Sequence, residues 1–115
     1  MAANFSHELS MREAPSEAQA RAAGALTDPA RAVGLRLTKR SAGELGYRPR
    51  MQFPFMIMLW HNLNGERMTV KFDDAPAGGT RVSISGAVAR RNHALAADPE
   101  HWSEPLGATA AHEEA

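Results

Sequence analysis

The segment MQFPFMIMLWHNL, residues 51–63, contains the longest apolar run of this 115-residue chain, and its conformation governs how the remainder is interpreted. The run, Phe53–Trp60, is interrupted by Pro54 and is far shorter than the roughly 20 residues that a membrane-spanning helix needs. No transmembrane segment is therefore predicted. As a strand, the run is apolar on both sides, with Phe53, Phe55, Ile57 and Leu59 on one side and Met56, Met58 and Trp60 on the other.

The segments before and after this run alternate between apolar and polar residues with a period of two, which is typical of half-buried strands. They are residues 4–12, 33–38, 45–48, 67–72 and 81–88. Asn64-Gly65 has the composition of a hairpin turn, and short loops between such strands favour antiparallel neighbours. Together with residues 51–60, these segments predict a curved antiparallel sheet of about five or six strands.

One main helix is predicted after the first strand. Ser16 followed by Gln19 matches a capping box, and the helix is expected over Glu17–Thr27. Its buried side would consist of small residues that let it lie close to the sheet, namely Ala18, Ala22, Ala25 and Leu26. Asp28-Pro29 is expected to end the helix, because a proline disfavours helical geometry in the residue before it.

A short second helix is predicted near the end of the chain, with Asp98 as its N-cap and with Trp102 and Leu106 as its apolar contacts. The chain is thus predicted to be a single α+β domain over residues 4–106. Its sheet packs on one main helix, in the order β-α-β-β-β-β-β followed by a short α. Residues 107–115 are small and acidic and are expected to form a disordered tail.

Composition excludes several kinds of site. Thirteen basic and thirteen acidic residues leave a formal net charge of zero, and the absence of cysteine excludes disulfides and thiolate metal sites. The five histidines lack metal-binding spacing, so neither a metal nor a cofactor is predicted, and Glu100, His101 and Glu104 are interpreted as a solvated helix end. The first residues do not have the pattern of a signal peptide, so a cytoplasmic location is expected.

Basic residues are concentrated between Arg31 and Arg50, where six of them accompany a single acid, Glu44. Such a cluster can contact phosphates, and it can also protect the edge of a sheet from aggregation. The chain has neither the aromatic pair that RNA-binding sheets carry nor a helix-turn-helix pattern. We therefore expect a solvated sheet edge and no nucleic-acid partner.

Several segments resemble the START/polyketide-cyclase (SRPBCC, helix-grip) superfamily in its smaller bacterial forms. The similarity lies in EAPSEA at residues 13–18, where the first strand leads into the helix, and in LTDP at residues 26–29. It extends to MTVKF at residues 68–72 followed by GTRV at residues 79–82, which is similar to the late hairpin of that group. Membership would imply a helix-grip fold and the binding of an apolar ligand, with no catalytic residue to carry over. The long C-terminal helix that closes the cavity in this superfamily is expected to be absent here or shortened to the stretch around Trp102.

One helix is too little to cover both faces of a sheet, so one apolar side of residues 51–60 needs another partner. The leading hypothesis is non-catalytic binding of a small apolar ligand or lipid between sheet and helix. Its candidate lining is Phe53, Phe55, Met56, Ile57, Met58, Trp60 and His61. The alternative is an interaction module that forms a homodimer through an exposed apolar sheet face, and a membrane contact by the same residues is also open. The third hypothesis is that the protein is an enzyme, and His61 is then the candidate acid–base group. No catalytic residue is otherwise assigned.

Overall fold

The computed structural model describes residues 2–49 and 65–110. Within these ranges the chain forms six strands and four helices: β1 (Ala2–Met11), α1 (Pro15–Ala25), α2 (Thr27–Ala32), β2 (Leu35–Ser41), β3 (Glu44–Pro49), β4 (Arg67–Asp74), β5 (Thr80–Ala89), α3 (Arg90–Ala96), α4 (Pro99–Leu106) and β6 (Thr109–Ala110). The predicted strand over residues 51–60 and the last residues, 111–115, lie outside the described residues. No helix in the described ranges is long and apolar enough to cross a membrane.

The strands form one antiparallel sheet in the order β2-β3-β4-β5-β1-β6. β1 pairs with β5 along its whole length, from Ala2 opposite Ala89 to Met11 opposite Thr80, so the first strand lies inside the sheet. β6 contributes only two residues, which pair with β1. The predicted α+β class and antiparallel sheet are confirmed, with five long strands in the part of the chain that the structure describes.

One face of the sheet, here called the inner face, packs against the helices, because apolar side chains alternate with polar ones along the long strands and the apolar set is buried. This set includes Phe5, Leu9, Leu35, Leu45, Tyr47, Met68, Val70, Val82 and Ile84. The helices contact it with small residues, Ala18 and Ala22 of α1 and Ala30 of α2, so their backbones lie close to the strands. The opposite face, here called the outer face, carries polar residues that include Arg36, Arg48, Thr69 and Ser85.

The helical region after β1 differs from the prediction. α1 begins at Pro15 and no side chain caps it, so the predicted capping box of Ser16 and Gln19 is wrong. Asp28-Pro29 does not end the helical region either, since it lies in the first turn of α2. A proline is tolerated there because the first N–H groups of a helix have no acceptor within it. Two consecutive helices therefore replace the single predicted helix.

Gln19 joins α1 to the turn between β2 and β3. Its side-chain amide donates to the carbonyl oxygens of Ser41, at 2.7 Å, and Glu44, at 3.3 Å. Its side-chain oxygen accepts from the N–H of Gly43 at 2.9 Å. Gly43 has a φ of 80°, which favours glycine at this turn. The helix thus holds the turn that sets the register of β2 on β3.

A β-bulge at Thr38 decides which side chains of β2 face the helices. Counted from the turn, uninterrupted pairing would place Leu37 on the outer face. In the structure Leu37 pairs with Tyr47 and Lys39 pairs with Gly46, so Thr38 is the extra residue. The bulge returns Leu37 to the inner face, where it packs against the core. Burial of an apolar side chain offsets the locally disrupted ladder.

The predicted C-terminal helix is confirmed as α4. Asp98 caps it, with its carboxylate accepting a backbone N–H of the first turn at 3.1 Å. Trp102 is fully buried, its indole N–H donates to the carbonyl oxygen of Ala96 at 2.8 Å, and its ring stacks on Phe5 with centroids 5.9 Å apart. The chain then continues into β6, so Thr109 and Ala110, which belong to the predicted tail, pair with β1 in the sheet.

Candidate functional site

The predicted lining residues lie outside the described residues: Phe53, Phe55, Met56, Ile57, Met58, Trp60 and His61. The structure does describe where their segment joins the sheet, since β3 ends at Pro49 and β4 begins at Arg67. Because β3 and β4 are antiparallel neighbours, both points lie at the same end of the sheet. We call this the loop end, and its two faces differ in chemistry.

On the inner face of the loop end, Tyr47 lies between Leu37 of β2 and Met68 of β4. Tyr47 is 2% exposed and belongs to the hydrophobic core. Its hydroxyl has no hydrogen-bond partner among the described residues. A buried polar group without a partner costs about 1–3 kcal/mol, and few such groups occur in native proteins. The Tyr47 hydroxyl therefore calls for a functional explanation.

The electrostatics of Tyr47 follow from this burial. Burial raises the pKa of Tyr47 to about 12, and the positive charge of Arg40 opposes the increase. Arg40 pairs with the buried Leu45, so it lies on the inner side of the edge strand β2, beyond the bulge. The hydroxyl remains a neutral donor near neutral pH, and a cation lies in its electrostatic range. This arrangement suits an oxygen acceptor that carries negative charge.

On the outer face, the loop end carries three exposed arginines in one row. Arg36 of β2 lies opposite Arg48 of β3. Arg67 of β4 occupies the position next to Arg48, one residue beyond the Tyr47–Met68 pair that ends the ladder. Neighbouring strands are about 4.8 Å apart, so the three residues span about 10 Å across the sheet. We call Arg36, Arg48 and Arg67 the arginine row.

Within the described ranges, no carboxylate pairs with the arginine row, because the one ion pair found there joins Arg21 and Glu13. The adjacent row of the outer face holds a further cation, Lys39, followed by small or hydroxyl-bearing residues: Gly46, Thr69, Ser85 and Ser6. Like charges on neighbouring strands are destabilising. The loop end thus concentrates positive charge on its outer face at some expense of stability.

Three histidines connect the C-terminal helices to the rest of the fold. The ring Nε2 atoms of His7, His93 and His101 lie 2.8–2.9 Å from the carbonyl oxygens of Ala96, Asn4 and Pro29, respectively. These nitrogens are occupied by structural hydrogen bonds. No group of three or more potential metal ligands occurs in the ranges that the structure describes, and His61 lies outside them.

A wide, open cleft of about 740 Å³ lies between α2 and α4. Its charged lining consists of Asp28, Glu100 and Glu104, and His101 beside them is bonded to Pro29. Its side chains are accessible to water, and none of the described ones is a buried polar group without a partner. The cleft is a solvated acidic surface to which we assign no ligand.

The sequence does not single out Tyr47, because alternation marks it only as a core residue and gives no information on its hydroxyl. The arginine row is visible in part as the basic stretch of residues 31–50. However, the bulge at Thr38 that places Arg36 beside Arg48 has no signal in the sequence. Both features depend on strand register, which only the structure supplies.

No protein-family model matches the chain, and neither a curated protein nor a solved structure shows significant similarity to it.

Proposed function

We propose that this protein binds a small amphipathic molecule, apolar over most of its length and acidic at one end, on the inner face of the loop end. The observation that carries the proposal is the buried hydroxyl of Tyr47, which has no partner among the described residues. A ligand oxygen would supply the missing acceptor. The proposed role is non-catalytic binding, and the predicted lining is Phe53, Phe55, Met56, Ile57, Met58, Trp60 and His61.

The acidic end of the ligand follows from the two groups that the inner face offers. The Tyr47 O–H donates a hydrogen bond, and Arg40 contributes a positive charge within range of the hydroxyl. A hydrogen bond to a charged acceptor contributes about 1.5–3 kcal/mol, more than one to a neutral acceptor. A long-chain carboxylic acid combines this head with an apolar tail, and we take it as the representative ligand.

The test is a fluorescence titration with a long-chain fatty acid. The chain has two tryptophans, and Trp102 is fully buried with its N–H bonded, so a change in emission would come from Trp60. Trp60→Phe should abolish the signal, which checks this assignment. Tyr47→Phe should keep the signal and weaken the affinity about tenfold or more.

The methyl ester of the same fatty acid is the matched control ligand. It keeps the tail and loses the charge, so wild type should bind it more weakly than the acid, and Tyr47→Phe should discriminate less between the two. Saturable binding of the acid with equal affinity for wild type and Tyr47→Phe would overturn the assignment of Tyr47. Absence of binding for every chain length would overturn the proposed function.

The homodimer and the START-like relationship stay predictions. The apolar residues that the homodimer invokes lie outside the described residues, and the outer face of the described strands is polar. No specific observation therefore favours the homodimer over ligand binding. Light scattering of the purified chain, with and without the fatty acid, would reveal a dimer and show whether the ligand affects it.

A further inference from the structure

We infer that the arginine row on the outer face docks the protein on an anionic phospholipid bilayer. The inference concerns the opposite face of the sheet from Tyr47 and does not depend on the proposed function. The partner that we infer for the arginine row is the plane of negatively charged headgroups at a bilayer surface.

The outer face at the loop end is strongly basic. Arg36, Arg48 and Arg67 lie on adjacent strands, and Lys39 follows in the next row. All four side chains are at least partly exposed, and none forms an ion pair with another described residue. Juxtaposed cations destabilise a sheet, whereas each basic residue near an anionic bilayer contributes favourably to binding. An external anionic surface is the complement that this arrangement lacks.

The shape and composition of the outer face also indicate which kind of anionic partner it fits. Adjacent strands present the arginine row as a broad surface, and its described neighbours Thr69 and Ser85 have short side chains. Single-stranded nucleic acid is usually held by aromatic rings that stack on its bases, and the outer face carries no aromatic side chain among the described residues. A broad surface of cations without a stacking platform fits a planar array of phosphates better than single-stranded nucleic acid.

The experiment is co-sedimentation of the full chain with two kinds of vesicle, phosphatidylcholine alone and phosphatidylcholine mixed with phosphatidylglycerol. We expect binding to the mixed vesicles at low salt, little binding to phosphatidylcholine alone, and a decrease as salt is added. The double variant Arg36→Gln/Arg48→Gln should weaken binding to the mixed vesicles about 30-fold, since each arginine near the surface contributes about fivefold.

Arg81→Gln is the matched control. Arg81 is exposed on the same outer face, but it lies toward the other end of the sheet and pairs with Asp73. This variant should change vesicle binding no more than about threefold. Tyr47→Phe should leave vesicle binding unchanged, so failure of the fatty-acid proposal and failure of this one are distinguishable. Because the substituted arginines are exposed, the arginine variants should keep the wild-type thermal midpoint within a few degrees.

Three outcomes would overturn the inference. The first is equal binding to both kinds of vesicle, which would leave no role for charge. The second is a double variant that binds like wild type, which would place the contact elsewhere. The third is tight, salt-sensitive binding of duplex DNA by a chain that ignores the mixed vesicles, which would assign the arginine row to nucleic acid.

Discussion

At the loop end, the two faces of one sheet present opposite chemistry. Tyr47 points inward, is buried, and has no hydrogen-bond partner among the described residues, whereas Arg48, the next residue, points outward beside two further exposed arginines. Successive side chains of a strand point to opposite faces, so one dipeptide contributes to both surfaces. A short strand thus places one residue of the proposed ligand site and one residue of the proposed contact surface on opposite faces of the same sheet. Substitutions on one face should then leave the other intact.

The largest effect is expected from a cavity on the inner side. Trp102→Ala removes a fully buried ring that stacks on Phe5 and bonds to the carbonyl oxygen of Ala96. We expect a loss of about 3–5 kcal/mol in the free energy of unfolding, measured by urea denaturation. Leu95→Ala is the control, because Leu95 is 41% exposed and its truncation should cost less than about 1 kcal/mol. Equal losses for the two variants would contradict the division into a packed interior and a solvated surface.

The second-largest effect is a loss of folding stability at alkaline pH, which we expect to be caused by ionisation of Tyr47. Its pKa rises from 10.0 to about 12 in the folded state, so the folded chain holds the phenolic proton more tightly than the unfolded chain. The resulting stability is complete below pH 10 and is lost as the pH rises toward 12. The expected loss in the free energy of unfolding from this ionisation is roughly 2–3 kcal/mol.

Tyr47→Phe isolates this contribution, since other groups titrate in the same range in both proteins. The variant should be at least as stable as wild type at neutral pH, because it removes a buried hydroxyl without a partner in the described structure. The free energy of unfolding of the variant should also fall less than that of wild type between pH 10 and pH 12. Tyr47 is the sole tyrosine, so tyrosinate absorbance reports its ionisation directly. A midpoint near 10 in the folded protein would show that the hydroxyl is solvated.

The smallest effect is expected on the outer face, where a substitution should raise the free energy of unfolding instead of lowering it. Arg36→Thr relieves repulsion from Arg48 and introduces a β-branched residue suited to a strand. We expect a gain of a few tenths of a kcal/mol, up to about 1, in urea unfolding at low salt, and a smaller gain at high salt. Lys71→Thr is the control, because Lys71 lies opposite Glu44 in the register and its replacement relieves no repulsion across these two strands. A loss of stability for Arg36→Thr would mean that the arginine row supports the fold.

Periodicity predicts the strands well, and the reason is visible in β1, β4 and β5. β4 buries Met68, Val70 and Phe72 at every second position, and the buried inner-face residues of β1 and β5, such as Phe5, Leu9 and Val82, also lie an even number of residues apart within each strand. The alternation in the sequence is therefore a direct consequence of the fold. The break at Asp28-Pro29 is misleading, because the same dipeptide fits a stop signal and the first turn of a new helix. A local sequence signal of this kind does not distinguish the end of one helix from the beginning of the next.

The candidate site is less accessible to prediction than the fold. The apolar segment draws attention to residues 53–61, whereas the described groups that carry the proposals, Tyr47 and the arginine row, are ordinary strand residues in the sequence. Their meaning comes from the register of β2 on β3, which a one-residue bulge at Thr38 changes. Whether a buried hydroxyl finds a partner is likewise a property of the folded neighbourhood.

The most direct test of the central claim is the distance between the Tyr47 hydroxyl oxygen and the ligand in a crystal structure with a bound long-chain fatty acid. We predict that a carboxylate oxygen lies about 2.5–3.0 Å from this hydroxyl, on the inner face of the loop end. A fatty acid bound elsewhere, with the hydroxyl satisfied by another group of the protein, would contradict the claim.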